Sequence, residues 1–338
     1  MTTIQTIRFD DPGIKYSGSI RTSAEAALLT WTGSSVKIAF RGRALSACFS
    51  DEHGDNYFTI VVNGKEASIL HLESGKRDYL IAEGLDQIVN SIELYKRTET
   101  GRGTSLFFYF TLYDAGPVLP DIVAKARLMA VIGDSISTGY ALQDQHRTDN
   151  WLPAYEDGYN TYAAITARRF NAEYACTAIS GIGVSASRRS LNILDLISGI
   201  VDENQYLGLR QPDLVVINLW QNDAFIISHR YSEDYLRWFG SSIPDKRELI
   251  KSYCLLTNKI RNCFPNAFMI CSLGSMDVVK PGSPWINYLH EAVHILNDPK
   301  VLPFLFPYKG TRGHPSFSEH QNMSAHLIDF ISEKLRWE

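Results

Sequence analysis

The hydrophobic rhythm of this chain changes once, at Ala115-Gly116-Pro117-Val118-Leu119-Pro120, and that break constrains the fold more than any other feature. Before it, from Ile4 to about Tyr113, apolar and polar residues alternate in short runs such as Val36-Lys37-Ile38-Ala39-Phe40 and Tyr57-Phe58-Thr59-Ile60-Val61-Val62. Alternation at period two buries one face of a strand and wets the other, the habit of antiparallel sheets. Asn63-Gly64 follows the second run. That dipeptide suits a type I′ hairpin, in which both turn positions need positive φ. Residues 1–120 thus predict an antiparallel β-sandwich ending in a Gly/Pro-marked linker.

Beyond the break, apolar runs alternate with longer helical segments. Strands are expected at 128–132, 173–178, 214–219, 267–272 and 301–306, and helices at 161–170, 246–263, 285–296 and 316–336. Strands that alternate with helices form a parallel sheet covered on both faces, so residues 121–338 predict an α/β domain. Two domains also fit a length of 338 residues, which exceeds what one core usually organises.

Composition excludes several classes of function. With 45% hydrophobic and 21% charged residues the chain is an ordinary globular protein. A net charge of -4 and the lack of a long Lys/Arg block argue against nucleic acid as partner. No apolar stretch approaches the roughly 20 residues of a membrane span. The start, MTTIQTIRFDDP, has neither the basic residues nor the apolar run of a secretory signal. Five cysteines, odd in number and without C-x-x-C spacing, are expected to be reduced and mostly buried. These features favour the cytoplasm, or a secreted protein whose leader has been removed.

Four short stretches fall at predicted strand ends: Gly133-Asp134-Ser135, Ser180-Gly181-Ile182-Gly183, Trp220-Gln221-Asn222-Asp223 and Gly310-Thr311-Arg312-Gly313-His314-Pro315-Ser316. In open α/β sheets the carboxyl ends of the strands face the ligand crevice. There, a hydroxyl, a glycine that lets backbone N–H groups approach, an amide donor and an imidazole could together transfer an acyl group. Taken singly, each has a plainer role. Asp134 or Ser135 can cap a helix, Asn222 can turn a strand end and His314 can start a helix.

Their order resembles the SGNH or GDSL hydrolases and, more closely, the two-domain acetyl esterases of carbohydrate esterase family 2. Tyr16-Ser17-Gly18, Gly54-Asp55-Asn56-Tyr57-Phe58, Glu156-Asp157-Gly158-Tyr159 and Ala178-Ile179-Ser180-Gly181-Ile182-Gly183-Val184 also look like that family, so the resemblance covers most of the chain. It implies a jelly-roll sandwich joined to a three-layer α/β/α domain with a flavodoxin-like sheet. Ser135 would be the nucleophile and His314 its base. The N–H of Ser135, the N–H of Gly181 and the amide of Asn222 would form the oxyanion hole. The substrate would be an acetylated carbohydrate, with no metal or organic cofactor. A transferase moving acetyl between sugars, an esterase for other small acyl groups, and a carbohydrate-binding protein that has lost catalysis are the alternatives.

Two departures shape the expected site. Where such enzymes carry an Asp shortly before the histidine, this chain has Thr311 and Arg312, so a Ser–His dyad oriented by a backbone oxygen within 311–313 is expected. Trp220 stands where the family has glycine, and is either a stacking wall for a sugar or a core-filling aromatic; Trp151 and Trp285 are weaker candidates for the wall. Asp134, Trp220 and Arg312 are the candidate substrate contacts. Lys309, Arg312, Arg188 and Arg189 could favour an anionic sugar such as a uronate, but solvated loop charge is the preferred reading.

Two other motifs carry less. His290-Glu291-Ala292-Val293-His294 matches the zinc-peptidase pattern H-E-x-x-H, yet no third ligand follows at a recognisable spacing, so an ordinary crossover helix is expected. Gly181 and Gly183 lack the third glycine of a dinucleotide site and follow the second strand rather than the first.

Overall fold

The computed structural model describes residues 4–86, 88–114, 116, 118–119, 125–202 and 210–338. Eleven strands form the first part: β1 (Ile4–Arg8), β2 (Lys15–Ser17), β3 (Ile20–Thr22), β4 (Ala27–Leu29), β5 (Ser35–Arg41), β6 (Ala44–Asp51), β7 (Tyr57–Val62), β8 (Lys65–His71), β9 (Gly75–Ala82), β10 (Val89–Lys96) and β11 (Ser105–Tyr113). One antiparallel sheet runs β3-β4-β11-β6-β9, with β1 also on β11; the other runs β2-β5-β10-β7-β8. Their facing sides share one core, in which the Phe49 ring meets Phe58 at 5.2 Å and Phe107 at 5.3 Å. Asn63 and Gly64 both have positive φ, 51° and 77°, and join β7 to β8 in the two-residue turn their sequence predicts. Of the predicted linker, Ala115, Pro117 and Pro120 lie outside the described residues. Gly116 N–H and Leu119 N–H donate to Arg41 O and Ala39 O, which lays the described part along β5.

The second part is a parallel sheet of β12 (Arg127–Gly133), β13 (Ala172–Ala178), β14 (Leu214–Asn218), β15 (Phe268–Leu273) and β16 (Val301–Leu305), in the order β13-β12-β14-β15-β16. Alternate residues of β12 enter two cores. Met129 and Val131 pack with α2 (Tyr162–Arg169) and α8 (Phe317–Leu335). Ala130 and Ile132 pack with α3 (Ile193–Asp202), α6 (Lys246–Cys263) and α7 (Trp285–Leu296). A strand wetted on neither face reads as an unbroken apolar run, which is why β12 and β14 stand out in the sequence. Three short helices were not expected: α1 (Ser135–Thr138), α4 (Gln221–Ser228) and α5 (Glu233–Phe239); α3 was also unexpected. The five cysteines are free, four buried and Cys263 partly so.

The chain leaves β12 to the left for β13 and returns to the right for β14. The sheet therefore has a topological switch at the carboxyl end of β12, where ligands of such folds bind. The sandwich closes one side of that crevice through the segment after β10. Arg97 pairs with Asp157 at 2.9 Å and Arg102 Nε donates to Glu156 Oε1 at 2.7 Å, all four being buried. Gly158 N–H donates to Arg97 O, and a Cβ on Gly158 would stand 2.1 Å from Thr32 Cγ2, so glycine is required for the two parts to meet this closely.

Candidate active site

β12 ends in Gly133, where a Cβ would fall 2.1 Å from Ser137 Oγ, and the chain turns sharply into α1. Asp134 caps that helix by accepting from Ile136 N–H at 3.0 Å, which leaves Ser135 at its first position. Capping thus falls to Asp134 and leaves the Ser135 side chain uncommitted to the helix end. The first N–H of a helix has no intrahelical acceptor, so that of Ser135 is free for a ligand.

His314 lies between β16 and α8, whose start is fixed by a capping box of Ser316 and Glu319. Its Nε2 is 2.8 Å from Ser135 Oγ. Its Nδ1 is 2.9 Å from Asp149 Oδ2, and its N–H donates to Asp149 Oδ1 at 2.8 Å. The expected dyad with a main-chain orienter is therefore wrong: a carboxylate from a distant loop does the orienting. A carboxylate only accepts, so Nδ1 carries the proton and Nε2 presents its lone pair to the serine hydroxyl. Burial alone would raise the Asp149 carboxyl, but the hydrogen bond and charge of His314 outweigh it and hold the group below the usual carboxylate range.

Asp149 belongs to the loop between α1 and residue 156, and its φ of 55° is one that Asp tolerates better than most residues. Tyr140 Oη donates to Asp149 O at 2.7 Å while its ring edge packs on His314 at 4.7 Å. Arg147 binds Glu319 at the start of α8, at 2.9 Å. Gly313 has φ 70°, and a Cβ there would lie 2.9 Å from Asp149 Oδ1. Sequence reasoning missed Asp149 because 165 residues separate it from the histidine and no spacing rule links the two.

Gly181 follows β13 with φ 84°, and its carbonyl accepts from Arg188 N–H at 2.8 Å, which fixes the direction of the peptide. Next to it, Ser180 N–H donates at 2.8 Å to Oε2 of the fully buried Glu99, a residue of the sandwich part that sequence reasoning also missed. Asp223 accepts from Val184, Ser185 and Ala186 N–H, closing the rest of the loop; burial pushes its carboxyl up to about 6 even so. Asn222 Nδ2 donates to Ile182 O at 2.8 Å, and its second N–H has only a 3.3 Å contact with Asp134. A cleft of about 440 Å³ is lined by Ser135, His314, Asp149, Gly181 and Asn222 together with Tyr140, Trp151, Ser180, Arg188 and Arg189.

Three expected substrate contacts are misplaced. Trp220 is fully buried, its ring 4.2 Å from Tyr253 and 5.4 Å from Trp285, so it fills the core, as Trp285 does. Asp134 is spent on Ile136 and Asn222 beneath the cleft, where burial, aided by the Asp223 charge, pushes it up to about 7. Arg312 points to solvent and does not line the cleft. The exposed aromatic at the site is Trp151, with 50% of its surface open and the Arg102 guanidinium 4.7 Å from its ring. In the H-E-x-x-H segment both histidines are exposed on α7, Glu291 pairs with Lys246, and no metal-ligating group of three forms among the described residues.

Residues 16–121 match the family described as carbohydrate esterase 2 N-terminal. The chain is 29% identical over 349 aligned positions to a cellulase/esterase, CelE, of Acetivibrio thermocellus, covering 98% of this chain and 41% of that protein. It is 27% identical over 204 positions to an acetylxylan esterase / glucomannan deacetylase of Cellvibrio japonicus, covering 57% of this chain and 55% of that protein. The chain thus spans about half the length of these relatives. A solved family two carbohydrate esterase from Clostridium thermocellum, in complex with cellohexaose, superposes with a TM-score of 0.83 at 28% identity over 96% of this chain and 100% of that one. With residues 16–121 matched to that family's N-terminal part and nearly its whole length laid over a family two esterase, the chain is similar to carbohydrate esterase family 2 in both of its parts.

Proposed function

We propose that this protein is a serine esterase that removes O-acetyl groups from acetylated oligo- or polysaccharides. The observation that carries the reading is the unbroken line from Asp149 through His314 to Ser135 Oγ, at 2.9 and 2.8 Å, opening into a cleft. His314 takes the Ser135 proton as Oγ attacks the acetyl carbonyl. It then gives that proton to the departing sugar oxygen, and in the second step takes one from water, which attacks the acyl-enzyme, and returns it to Oγ as acetate leaves. The tetrahedral oxyanion is met by the N–H groups of Ser135 and Gly181 and by the Asn222 amide, whose second N–H exchanges its long 3.3 Å bond to Asp134 for the developing charge. Trp151 offers the ring face on which a sugar can stack.

A fluorophosphonate tests the reading without a substrate being known. One equivalent should add to the Ser135 peptide and abolish acetate release from acetylated xylo- and gluco-oligosaccharides. Labelling elsewhere, or a folded protein that releases acetate from neither these nor an aryl acetate, would favour a carbohydrate-binding protein instead.

Glu99 gives a second check. Removing its carboxylate orphans the buried Ser180 N–H beside Gly181, so Glu99→Ala should lower kcat by about 10²-fold, the cost of misplacing one oxyanion donor. Glu99→Gln keeps an acceptor and should recover most of that loss. Equal losses in the two variants would mean that the charge, rather than the hydrogen bond, is what counts.

A further inference from the structure

The charges in the cleft are unbalanced. Of its charged side chains one is acidic, Asp149, and both of its oxygens are engaged by His314; the two basic ones are Arg188 and Arg189. Arg189 Nε donates to Ser180 O at 2.8 Å, and its Nη2 stands 3.8 Å from the buried Glu99, so its charge is partly met. Arg188 is different. Its nearest acid, Asp234, is 3.8 Å from Nε and already holds Arg237 at 2.9 Å, and the Arg188 side chain remains 58% exposed. The Arg188 backbone is nevertheless tied to the site, since its N–H donates to Gly181 O. A cation anchored beside the oxyanion glycine, with the outer edge of its fork directed to no acid nearer than 3.8 Å, is built to receive a planar anion. An anion-binding role for that arginine is the alternative to its being solvated loop charge. Lys309, by contrast, is bound to Thr311 O and lies outside the cleft.

The geometry points to a substrate whose carbohydrate bears a carboxylate, such as a uronic acid residue, held by Arg188 while Ser135 attacks the acetyl group. The inference rests on the esterase reading and names the sugar class for the same site. No additional chemical step is involved. The carboxylate orients the ring and is released unchanged with the deacetylated product.

The test compares an O-acetylated oligogalacturonide with its carboxyl-reduced counterpart, measuring acetate release by the wild type and by Arg188→Ala and Arg188→Lys. The wild type should prefer the acidic substrate by about tenfold or more in kcat/KM, chiefly through KM, and the preference should shrink as salt rises. Arg188→Ala should bring the ratio close to one, and Arg188→Lys should restore part of it. Because the ratio is taken on one protein sample, loss of folded enzyme cancels. A wild-type ratio near one, or a preference that survives Arg188→Ala, overturns the inference. 4-Nitrophenyl acetate separates the two failures: if it is hydrolysed while the ratio is one, the esterase reading stands and the carboxylate is wrong; if no substrate releases acetate, both fall.

Discussion

Asp149→Asn should lower kcat for acetate release by about 10⁴-fold and change KM little. The cause is the tautomer of His314. Asp149 can only accept, so the proton sits on Nδ1 and Nε2 is a base facing Ser135 Oγ at 2.8 Å. An amide at the same place can donate to Nδ1, which moves the proton to Nε2 and turns the base into a donor. It also leaves the imidazolium of the transition state without its counter-charge. The other bond, from His314 N–H to Oδ1, can persist with the amide oxygen, so the loop should stay in place and the variant should fold. Asp149→Asn also changes acid stability in a definite direction. The carboxyl is held below its ordinary value in the folded protein, so it contributes stability above the unfolded value near 4 and loses it as pH falls through the folded one. The variant should therefore be less stable than wild type at neutral pH, with the gap closing on acidification. A kcat loss under tenfold would return the orienting role to a main-chain oxygen.

That prediction concerns a residue no motif announced, and the reason is physical. Strands β12 to β16 could be read to within a residue or so, β12 and β14 because burial on both faces demands an unbroken apolar run. α6 and α7 match their expected bounds because each has an apolar stripe and a defined end: the Asp245 side chain accepts from Arg247 N–H at the start of α6, and Asn297, at φ 47°, stops α7. The sites at the carboxyl ends of β12, β13 and β14 followed from the sheet itself. α4 and α5 span only about two turns, too few for a period to show. Asp149 is harder still, because nothing local requires it. At the position where the resembled enzymes carry their acid, Thr311 hydroxyl instead accepts from Arg147 and donates to Glu319, and those bonds pin the very loop that delivers Asp149. Trp220 misled for a related cause. Its place just past β14 is shared by cleft residues, and only the packing of Tyr253 and Trp285 shows that its ring turns inward.

Ser135→Ala should cost more than any other single change, about 10⁶-fold in kcat, with what remains coming from the oxyanion donors and substrate binding alone. The loss should not reflect damage to the fold. Ser135 is 6% exposed, its neighbours Ile136 and Thr138 hold α1 through their bonds to Asp134, and alanine suits the first turn of a helix. The sharper result comes from combining changes. If Asp149, His314 and Ser135 act as one unit, Asp149 can help only by preparing His314 to deprotonate Ser135. Without the serine there is nothing for it to prepare, so Ser135→Ala/Asp149→Asn should be no slower than Ser135→Ala alone, and the two free-energy losses should fail to add by nearly the whole effect of Asp149. Additive losses would mean that Asp149 serves the reaction by a route that bypasses Ser135, for example by activating water directly. In that event the hydrogen bond between His314 and Ser135 would be a structural feature and the acyl-enzyme would have to be given up.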